Sequence, residues 1–574
     1  MISYSEPELL EKNHELLQTY SPLVAQLLVH RGITTIADAE KFIKPNYEDN
    51  YDPLLMKGVQ ETVERLKRAI DNDQHITIYG DYDADGIPGA VVLASLFDAL
   101  KYTRYDIYIP HRHDEGYGIH IDALEKIKEN GTQLIVTVDV GITGHDAAHW
   151  CKEHTIDLVI TDHHLPLVND GGQEDLPNAR IIVNPKQNEC SYPDPMLCGS
   201  GVIFKVVQGF LIQHRKEYNI PDGWEKWLLD LVGLATVSDM VPLVHENRIF
   251  AYYGLQVLKK TRRLGLKKLI WEAGISMKYL NEEDIGFGIS PKINAASRMS
   301  HPEDALAVLR AYNEVEATAR VNHLMQLNAK RKQLVAQTVK KTYSKIKQRK
   351  ITDVIVVGSP DWQAGILGLV ASKLVERYNK PTFVWSEENG EIKGSCRTWN
   401  GINLVELMSA TDAKTFLQFG GHAEAGGFSC AKKEVHFLEE RLNNALQKIS
   451  HHHNNHSNET RVIDAELTVD DVTDETYHDI EQLAPFGVGN PKPVFIFKSV
   501  TPMLVKQFGK TQEHLEIHFQ NSQEKTIRAI AFFKTSDDYH VTIETGKPLN
   551  LIAHIEHSVF MGKHELRLKI VDCV

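Results

Sequence analysis

Three aspartates stand at alternate positions, Asp81, Asp83 and Asp85, in the stretch YGDYDADGIPGA, directly after the apolar run HITIYG. Carboxylates this crowded repel one another, so something cationic has to sit opposite them. Three further places repeat the arrangement. LIVTVDVG supplies Asp139, VITDHHLP supplies Asp162, His163 and His164, and GLATVSDMVPL supplies Asp239. A single aspartate at a strand end is ordinarily a turn or cap residue. Four such sites in order, each at the end of a predicted parallel strand, are not explained by capping. Two divalent cations sharing a carboxylate would relieve the repulsion. Carboxylate with imidazole suits Mn²⁺, and Mg²⁺ also fits. A pair of such ions can hold the attacking and the leaving oxygen of a phosphoryl centre and generate hydroxide near neutral pH. The predicted chemistry is therefore hydrolysis of a phosphoester or phosphoanhydride. His164, beside His163, is free to steady charge on the phosphoryl oxygens or to donate a proton.

The elements that must position these groups are legible from period and composition. From Ile78 to about Val244, ITIYG, YDIYIP, LIVTVD, LVITD and RIIVN read as short strands rich in β-branched residues. Amphipathic stretches such as GAVVLASLFDAL and HIDALEKIKENG lie between them. This rhythm predicts a parallel sheet with helices on both faces, whose chemistry gathers at the carboxyl ends of the strands. From Pro302 to Lys350 the pattern is wholly helical. Leu324, Leu327, Leu334, Val339, Tyr343 and Ile346 keep one stripe apolar, which predicts a long connecting helix. A second α/β unit opens with DVIVVG and ends near Ser450. The His-rich HHHNNHSNE from His451 reads as a polar linker between domains rather than a metal site. From Arg461 on, about five strands separated by turns fit a small barrel such as an OB-fold.

The bulk numbers agree with a multidomain α/β protein. A chain of 574 residues is too long for one core, and 42% hydrophobic with 24% charged residues is ordinary for a globular chain. No run approaches the length of a membrane span, and the start, MISYSEPELL, lacks an export signal. Six scattered cysteines without a CxxC pair argue against a zinc ribbon or a disulfide framework and suit a reducing cytoplasm. The formal charge of −14 disfavours a polyanionic partner only weakly, because binding depends on the local groove. Basic clusters do occur, KKTRRLGLKK from Lys259 and KKTYSKIKQRK from Lys340. Each taken alone reads as a solvated helix face.

DYDADG, TVDVG, DHHLP and VSDMVPL together resemble the four motifs of the DHH phosphoesterase superfamily, and GGHAEAGG from Gly420 resembles the signature of its companion DHHA1 domain. LLVHRGITTIADAEKFIKP, SPKINAASRM and LAPFGVGNPKPVF resemble the branch of that superfamily that digests single-stranded DNA. The resemblance covers the chain from about residue 20 onward. It implies an N-terminal extension over 1–55, a DHH catalytic domain over 56–260, a helical connector over 261–350, a DHHA1 domain over 351–450, a linker over 451–460 and an OB-fold DNA-binding domain over 461–574. It implies two Mn²⁺ or Mg²⁺ ions held by Asp83, Asp85, Asp139, His163 and Asp239, with Asp139 bridging. Asp81 and Asp162 would stand behind those ligands and serve catalysis with His164. Arg112 and Tyr117 would hold the 5′ end, with Tyr117 able to stack on a base. Ser395 and Arg397 would bind the terminal phosphate, Arg298 would join the strand-binding set, and His422 would face the cleft from the second domain.

The activity this implies is 5′-to-3′ exonucleolytic release of mononucleotides from single-stranded DNA, in repair and recombination. A single-strand-binding protein and a helicase are the implied partners, and the implied form is a monomer. Some positions depart from the family's pattern. Pro88 stands where threonine or serine is usual, and Val140 replaces a small polar residue after the second motif's aspartate. Lys292 and Ser297 alter the central segment, where the lysine loses an arginine's bidentate contact, and Gln363 replaces a histidine. None removes a metal ligand. Two other readings are a DHH phosphodiesterase for short oligonucleotides or cyclic dinucleotides, which the C-terminal barrel argues against, and a non-catalytic DNA-binding relative, which the full ligand set argues against.

Overall fold

The computed structural model describes residues 3–5, 10–169, 171–388, 390–398, 401–450, 460–509, 512–560 and 563–574. Two compact units emerge, residues 51–241 with 253–456, and residues 1–50 with 242–252 and 457–574. The His-rich tract 451–459 lies outside the described residues.

In the first of these units, five strands form an all-parallel sheet: β1 (His75–Gly80), β2 (Tyr105–Tyr108), β3 (Thr132–Val138), β4 (Asp157–Thr161) and β5 (Ile181–Val183). All pairs are parallel, as the alternation of strands and helices predicts, and the spatial order is β2-β1-β3-β4-β5. The order reverses between β1 and β3, and ligands of open α/β sheets bind at the carboxyl ends beside such a reversal. Asp81 follows β1 there and Asp139 follows β3. The amide of Asp81 donates to the Val138 carbonyl at 3.1 Å, so the two strand ends are joined. Strands buried on both faces read as continuous β-branched runs, and Ile76, Ile78, Ile135 and Val136 are fully buried.

Helix α1 (Gly86–Ala99) leaves the first motif and is buried along almost its whole length. Pro88 occupies its first turn, where a backbone N–H has no partner within the helix, so the proline is harmless there. Val140 is fully buried in the sheet's core. Helix α2 (Gly199–His214) and helix α3 (Leu229–Ser238) pack on α1. The fourth motif, expected at a strand end, is helical instead: its apolar residues are buried all round a helix, a pattern that a short run shares with a buried strand, and α3 delivers Asp239 as its C-cap. Helix α4 (Ser290–Met299) carries the central segment. The helical stretch expected from Pro302 divides in two: a short helix, Glu303–Arg310, ends before Asn313, whose side chain caps α5 (Glu314–Lys347). Helix α5 has 34 residues, about 50 Å at 1.5 Å per residue. The second α/β domain is a mixed five-stranded sheet of residues 355–358, 382–388, 391–397, 418–421 and 425–431, flanked by α6 (Leu367–Tyr378).

The other unit departs from the expected division. Seven strands, rather than about five, build its sheet, in the order 465–466, 495–500, 549–560, 563–573, 526–531, 514–520 and 504–508. The N-terminal segment is not a separate body. Leu16, Val24, Leu27 and Leu28 share one core with Phe495, Phe497, Phe519 and Leu551. Two short helices cannot enclose a core by themselves, so they bury their apolar faces on the sheet. Residues 242–252 join the same unit. Arg248 is only 3% exposed and donates to the carbonyls of Phe42, Leu483 and Ala484 at 2.7, 3.0 and 3.0 Å.

Candidate metal centre

The four motifs converge at the carboxyl end of the parallel sheet. Ligand atoms of Asp81, Asp83 and Asp139 lie within 4.8 Å of one another, as do those of Asp85, His163 and Asp239, and those of Asp139, His163 and His164. Nε2 of His163 is 3.1 Å from Asp139 Oδ1, 3.6 Å from Asp239 Oδ2 and 3.9 Å from Asp85 Oδ2. Asp139 Oδ1, Asp81 Oδ1 and His163 Nε2 are buried without a hydrogen-bond partner. Buried polar atoms of a folded chain are almost always paired, so orphans aimed at one another mark a place for a cation. The donor set of carboxylate oxygens and one imidazole nitrogen fits Mn²⁺ or Mg²⁺.

Backbone amides and turns position three of the candidate ligands. Asp139 adopts φ 65°, a left-handed conformation that aspartate tolerates at modest cost, and its amide donates to the Thr161 carbonyl. Asp83 Oδ1 accepts from the amides of Asp85 and Gly86, which shapes the turn into α1. Asp85 is clamped by the first amides of α2: Gly199 N donates to Oδ2 at 2.6 Å and Ser200 N to Oδ1 at 2.7 Å. A Cβ on Gly199 would lie 2.5 Å from the Asp139 Cβ, so glycine permits α2 to approach both carboxylates. Asn294 of α4 accepts from the amide of Ala84 at 2.9 Å and braces the first motif.

Protonation follows from the crowding. Burial, then Asp85 and Asp83, push Asp239 up to about 8. Burial and Asp83 push Asp85 up to about 6. Burial and the four neighbouring aspartates drive Asp139 well above the carboxylate range. Burial, reinforced by the charge of His164, lowers His163 to about 3 and keeps it in the neutral, ligating form. Burial also pulls on His164, but its hydrogen bond to Asp162 and the nearby carboxylates outweigh that and hold it at about 9.

Asp162 is fully buried and saturated. It accepts from the amides of Ile142, His163 and His164 and from His164 Nδ1, and it is held at about 2 despite burial. It orients His164, and both of its oxygens already accept hydrogen bonds. Asp81, expected behind the ligands, is instead aimed into the cluster with Oδ1 free. The hydroxyl of Tyr117 reaches His164 Nδ1 at 3.1 Å and the Asp139 carbonyl at 3.3 Å, while its ring stays half-exposed. His422 comes from the second domain, its ring 6.1 Å from that of His164.

The predicted phosphate ligands form a second constellation beside the first. Arg397 donates to Ser395 Oγ at 3.1 Å, and Arg298 donates to the Gly365 carbonyl at 3.1 Å. Arg112 lies over the Tyr82 ring at 4.7 Å. Among the described residues none of the three guanidiniums has a carboxylate partner. Burial, then Arg112, Arg397 and Arg331, lower Arg298 to about 9, so the cluster is short of negative charge. A Cβ on Gly368 would stand 2.9 Å from Arg397 and 3.0 Å from Ser395, so the first turn of α6 meets them closely. Guanidiniums beside a helix N-terminus suit a phosphate.

Gly199, Ser200, Asn294 and Lys186 are site residues that motif reading misses. Burial lowers Lys186, whose charged neighbours are Asp239, Asp162 and Asp139. The signal for Lys186 was weak: it comes shortly after the fifth strand, with Asn184 and Pro185 between. Of the departures, Lys292 turns its ammonium to the Gly288 carbonyl, and Gln363, exposed before α6, lines a cavity together with Arg298.

Residues 75–236 match the DHH family, N-terminal domain, residues 347–453 the DHHA1 domain, and residues 463–572 the RecJ OB domain. The single-stranded-DNA-specific exonuclease RecJ of Bacillus subtilis is 36% identical over 560 residues, covering 96% of this chain and 68% of the relative. RecJ of Haemophilus influenzae is 29% identical, covering 96% of both chains. Among solved structures, Thermus thermophilus RecJ with Mn²⁺ has a TM-score of 0.81 at 23% identity, covering 100% of this chain and 79% of that one. A manganese-bound exonuclease RecJ has a TM-score of 0.59 at 29% identity, covering 68% of this chain and 95% of that one.

Proposed function

The chain belongs to the RecJ family of single-stranded-DNA-specific exonucleases, and on that premise we propose that it digests single-stranded DNA from a 5′ end, releasing mononucleotides. Two divalent cations, Mn²⁺ or Mg²⁺, would be held by Asp83, Asp85, Asp139, His163 and Asp239, with Asp81 close enough to join them. When bound, they supply Lewis-acid stabilisation of the phosphoryl oxygens and an activated water. Asp162 fixes the ring of His164 through Nδ1, and the charged imidazole steadies the phosphoryl oxygens or protonates the leaving oxygen. Arg112, Arg298, Ser395 and Arg397 hold the terminal phosphate, so one nucleotide is measured off per cut and internal cleavage is suppressed. Tyr117 keeps its hydroxyl on His164 and offers its ring face to the terminal base.

The observation that carries this reading is the adjacency of two opposite constellations, a carboxylate cluster without a cation of its own and an arginine cluster without an anion. A phosphodiester whose terminal phosphate sits among the arginines satisfies both. The family's role in repair and recombination, with a single-strand-binding protein and a helicase as partners, completes the proposal. So do a monomeric state and a cytoplasmic location. All six cysteines are unpaired, which suits a reducing compartment. No helix among the described residues is long and apolar enough to cross a membrane.

A time course on 5′-labelled single strand, duplex and 3′-blocked strand, with and without Mn²⁺, tests the reading. Rapid loss of label as mononucleotide from both single strands, and a duplex left intact, is the expected result. A spared 3′-blocked strand would overturn the polarity, and a duplex cut at the single-strand rate would overturn the selectivity.

A further inference from the structure

Beside the metal cluster the chain exposes large apolar side chains that neither constellation uses. Met240 directly follows Asp239, adopts φ 59°, and is 70% exposed. Phe287 is 82% exposed, although Ile285 and Ile289 on either side of it are fully buried. It sits in a π-helical turn, Asp284–Ile289, that runs directly into α4. A π turn inserts a residue into the helical ladder and recurs at functional positions. This one is fastened to the metal-bearing helix. The hydroxyls of Ser290 and Ser238 lie 2.5 Å apart, and Ser290 also donates to the Ile285 carbonyl at 2.9 Å. Ser238 is the residue before Asp239, so Phe287 and Met240 stand on the two sides of one hydrogen-bonded joint.

Cations accompany them. Lys292 donates its ammonium to the carbonyl of Gly288, the residue after Phe287. Its charged neighbours are Lys332 and Arg331 of α5. Arg331 is steadied by Asn328 Oδ1 at 2.9 and 3.2 Å. Among the described residues none of these three cations has a carboxylate partner. The nearest acid on the turn, Asp284, is engaged by the amide of Asn281 at 3.1 Å. An exposed aromatic alone is ordinary surface. An aromatic braced beside a phosphodiester-cleaving centre, with unpaired cations along it, is the pattern of single-strand sites, where bases stack and phosphates are tracked.

We propose that Phe287 and Met240 form a stacking ledge for unpaired bases of the strand that enters the metal centre, with Lys292, Arg331 and Lys332 receiving the accompanying phosphates. This inference rests on the exonuclease reading and adds a source of selectivity to it. A duplex keeps its bases paired and offers no free face to such a ledge, whereas a single strand does.

The test uses the full chain and a 5′-phosphorylated single strand of about 12 nucleotides, the length scale of such sites, carrying 2-aminopurine at each nucleotide in turn. Binding is read by fluorescence in EDTA, and turnover in Mn²⁺. Phe287→Ala should weaken binding roughly 5- to 150-fold, as loss of one stacked base does. It should also brighten 2-aminopurine at one or two adjacent positions and raise KM with kcat kept. Phe287→Trp should restore quenching and affinity. Wild-type affinity and wild-type fluorescence at every position in Phe287→Ala would overturn the ledge. If the wild-type chain neither binds nor digests the strand, the exonuclease reading itself falls, and the ledge falls with it.

Discussion

Asp139 Oδ1 faces His163 Nε2 at 3.1 Å, and neither atom makes a hydrogen bond. An unpaired buried polar atom costs about 1–3 kcal/mol, and here two of them confront each other among further carboxylates. The metal-free centre is thus held together against its own electrostatics by the surrounding fold.

Fixing Asp139 in a neutral form should leave the metal-free fold intact while destroying its function. Asp139→Asn removes a carboxylate that feels Asp85, Asp83, Asp81 and Asp239. At neutral pH, where burial and its neighbours favour the protonated Asp139, the metal-free Tm should stay near the wild-type value, and the rise on adding Mn²⁺ should vanish. Activity should fall roughly 10³-fold, the several kcal/mol that metal stabilisation supplies. Differential scanning fluorimetry with and without Mn²⁺ decides it. A variant still stabilised by Mn²⁺ as strongly as the wild type would remove Asp139 from the ligand set.

The same repulsion sets a pH dependence. Asp85 is raised to about 6 and Asp239 to about 8 from an ordinary value of 3.8. A raised carboxyl stabilises the fold fully below its unfolded value and loses that contribution as pH climbs through the folded value. The metal-free protein should consequently soften as pH rises from about 4 to about 8. Binding Mn²⁺ must displace those protons. Calorimetry at neutral pH in buffers of different ionisation enthalpy should show proton release, fading above about pH 8. No release at neutral pH would contradict the protonated cluster.

Gly199 tests how closely α2 has to approach. An added Cβ would meet the Asp139 Cβ at 2.5 Å and Oδ1 at 2.7 Å, and the same residue's amide holds Asp85. Gly199→Ala should displace both carboxylates and weaken Mn²⁺ binding about 10- to 100-fold, the usual effect of disturbing groups that orient ligands. Titration calorimetry reads the affinity, and circular dichroism confirms the fold. Unchanged affinity would show that α2 moves freely.

Arg397 should govern recognition of the terminal phosphate. Charge-assisted hydrogen bonds contribute about 1.5–3 kcal/mol, so Arg397→Ala should lower kcat/KM on 5′-phosphorylated strands roughly 10- to 150-fold. Strands with a 5′-hydroxyl should lose much less, and Arg397→Lys should recover the charge without the fork. An equal loss on both substrates would place Arg397 outside the phosphate site.

Much of the centre was legible in the chain because strands and their ends are local features. HITIYG and TQLIVTV announce themselves by β-branched composition, and the residue that follows each is at the sheet's functional edge. The arginines were not legible in this way. Arg112, Arg298 and Arg397 carry no periodic signal, and only resemblance to a family picked them out. The family resemblance places Asp81 behind the ligands, and only the fold shows its Oδ1 buried, unpartnered and close to Asp83 and Asp139.

The sequence by itself determined the chemistry, since acidic residues and an imidazole directly after three apolar strands admit few readings once a parallel sheet is inferred. Tertiary structure alone decided who holds those ligands and where the chain's ends belong. Gly199 clamps an aspartate 114 positions away, Asn294 braces an amide 210 positions away, and Leu27 shares a core with Phe495. Such partners are chosen by packing and by the need to satisfy buried polar groups after the chain has closed on itself. Neither leaves a mark on the spacing of residues along it.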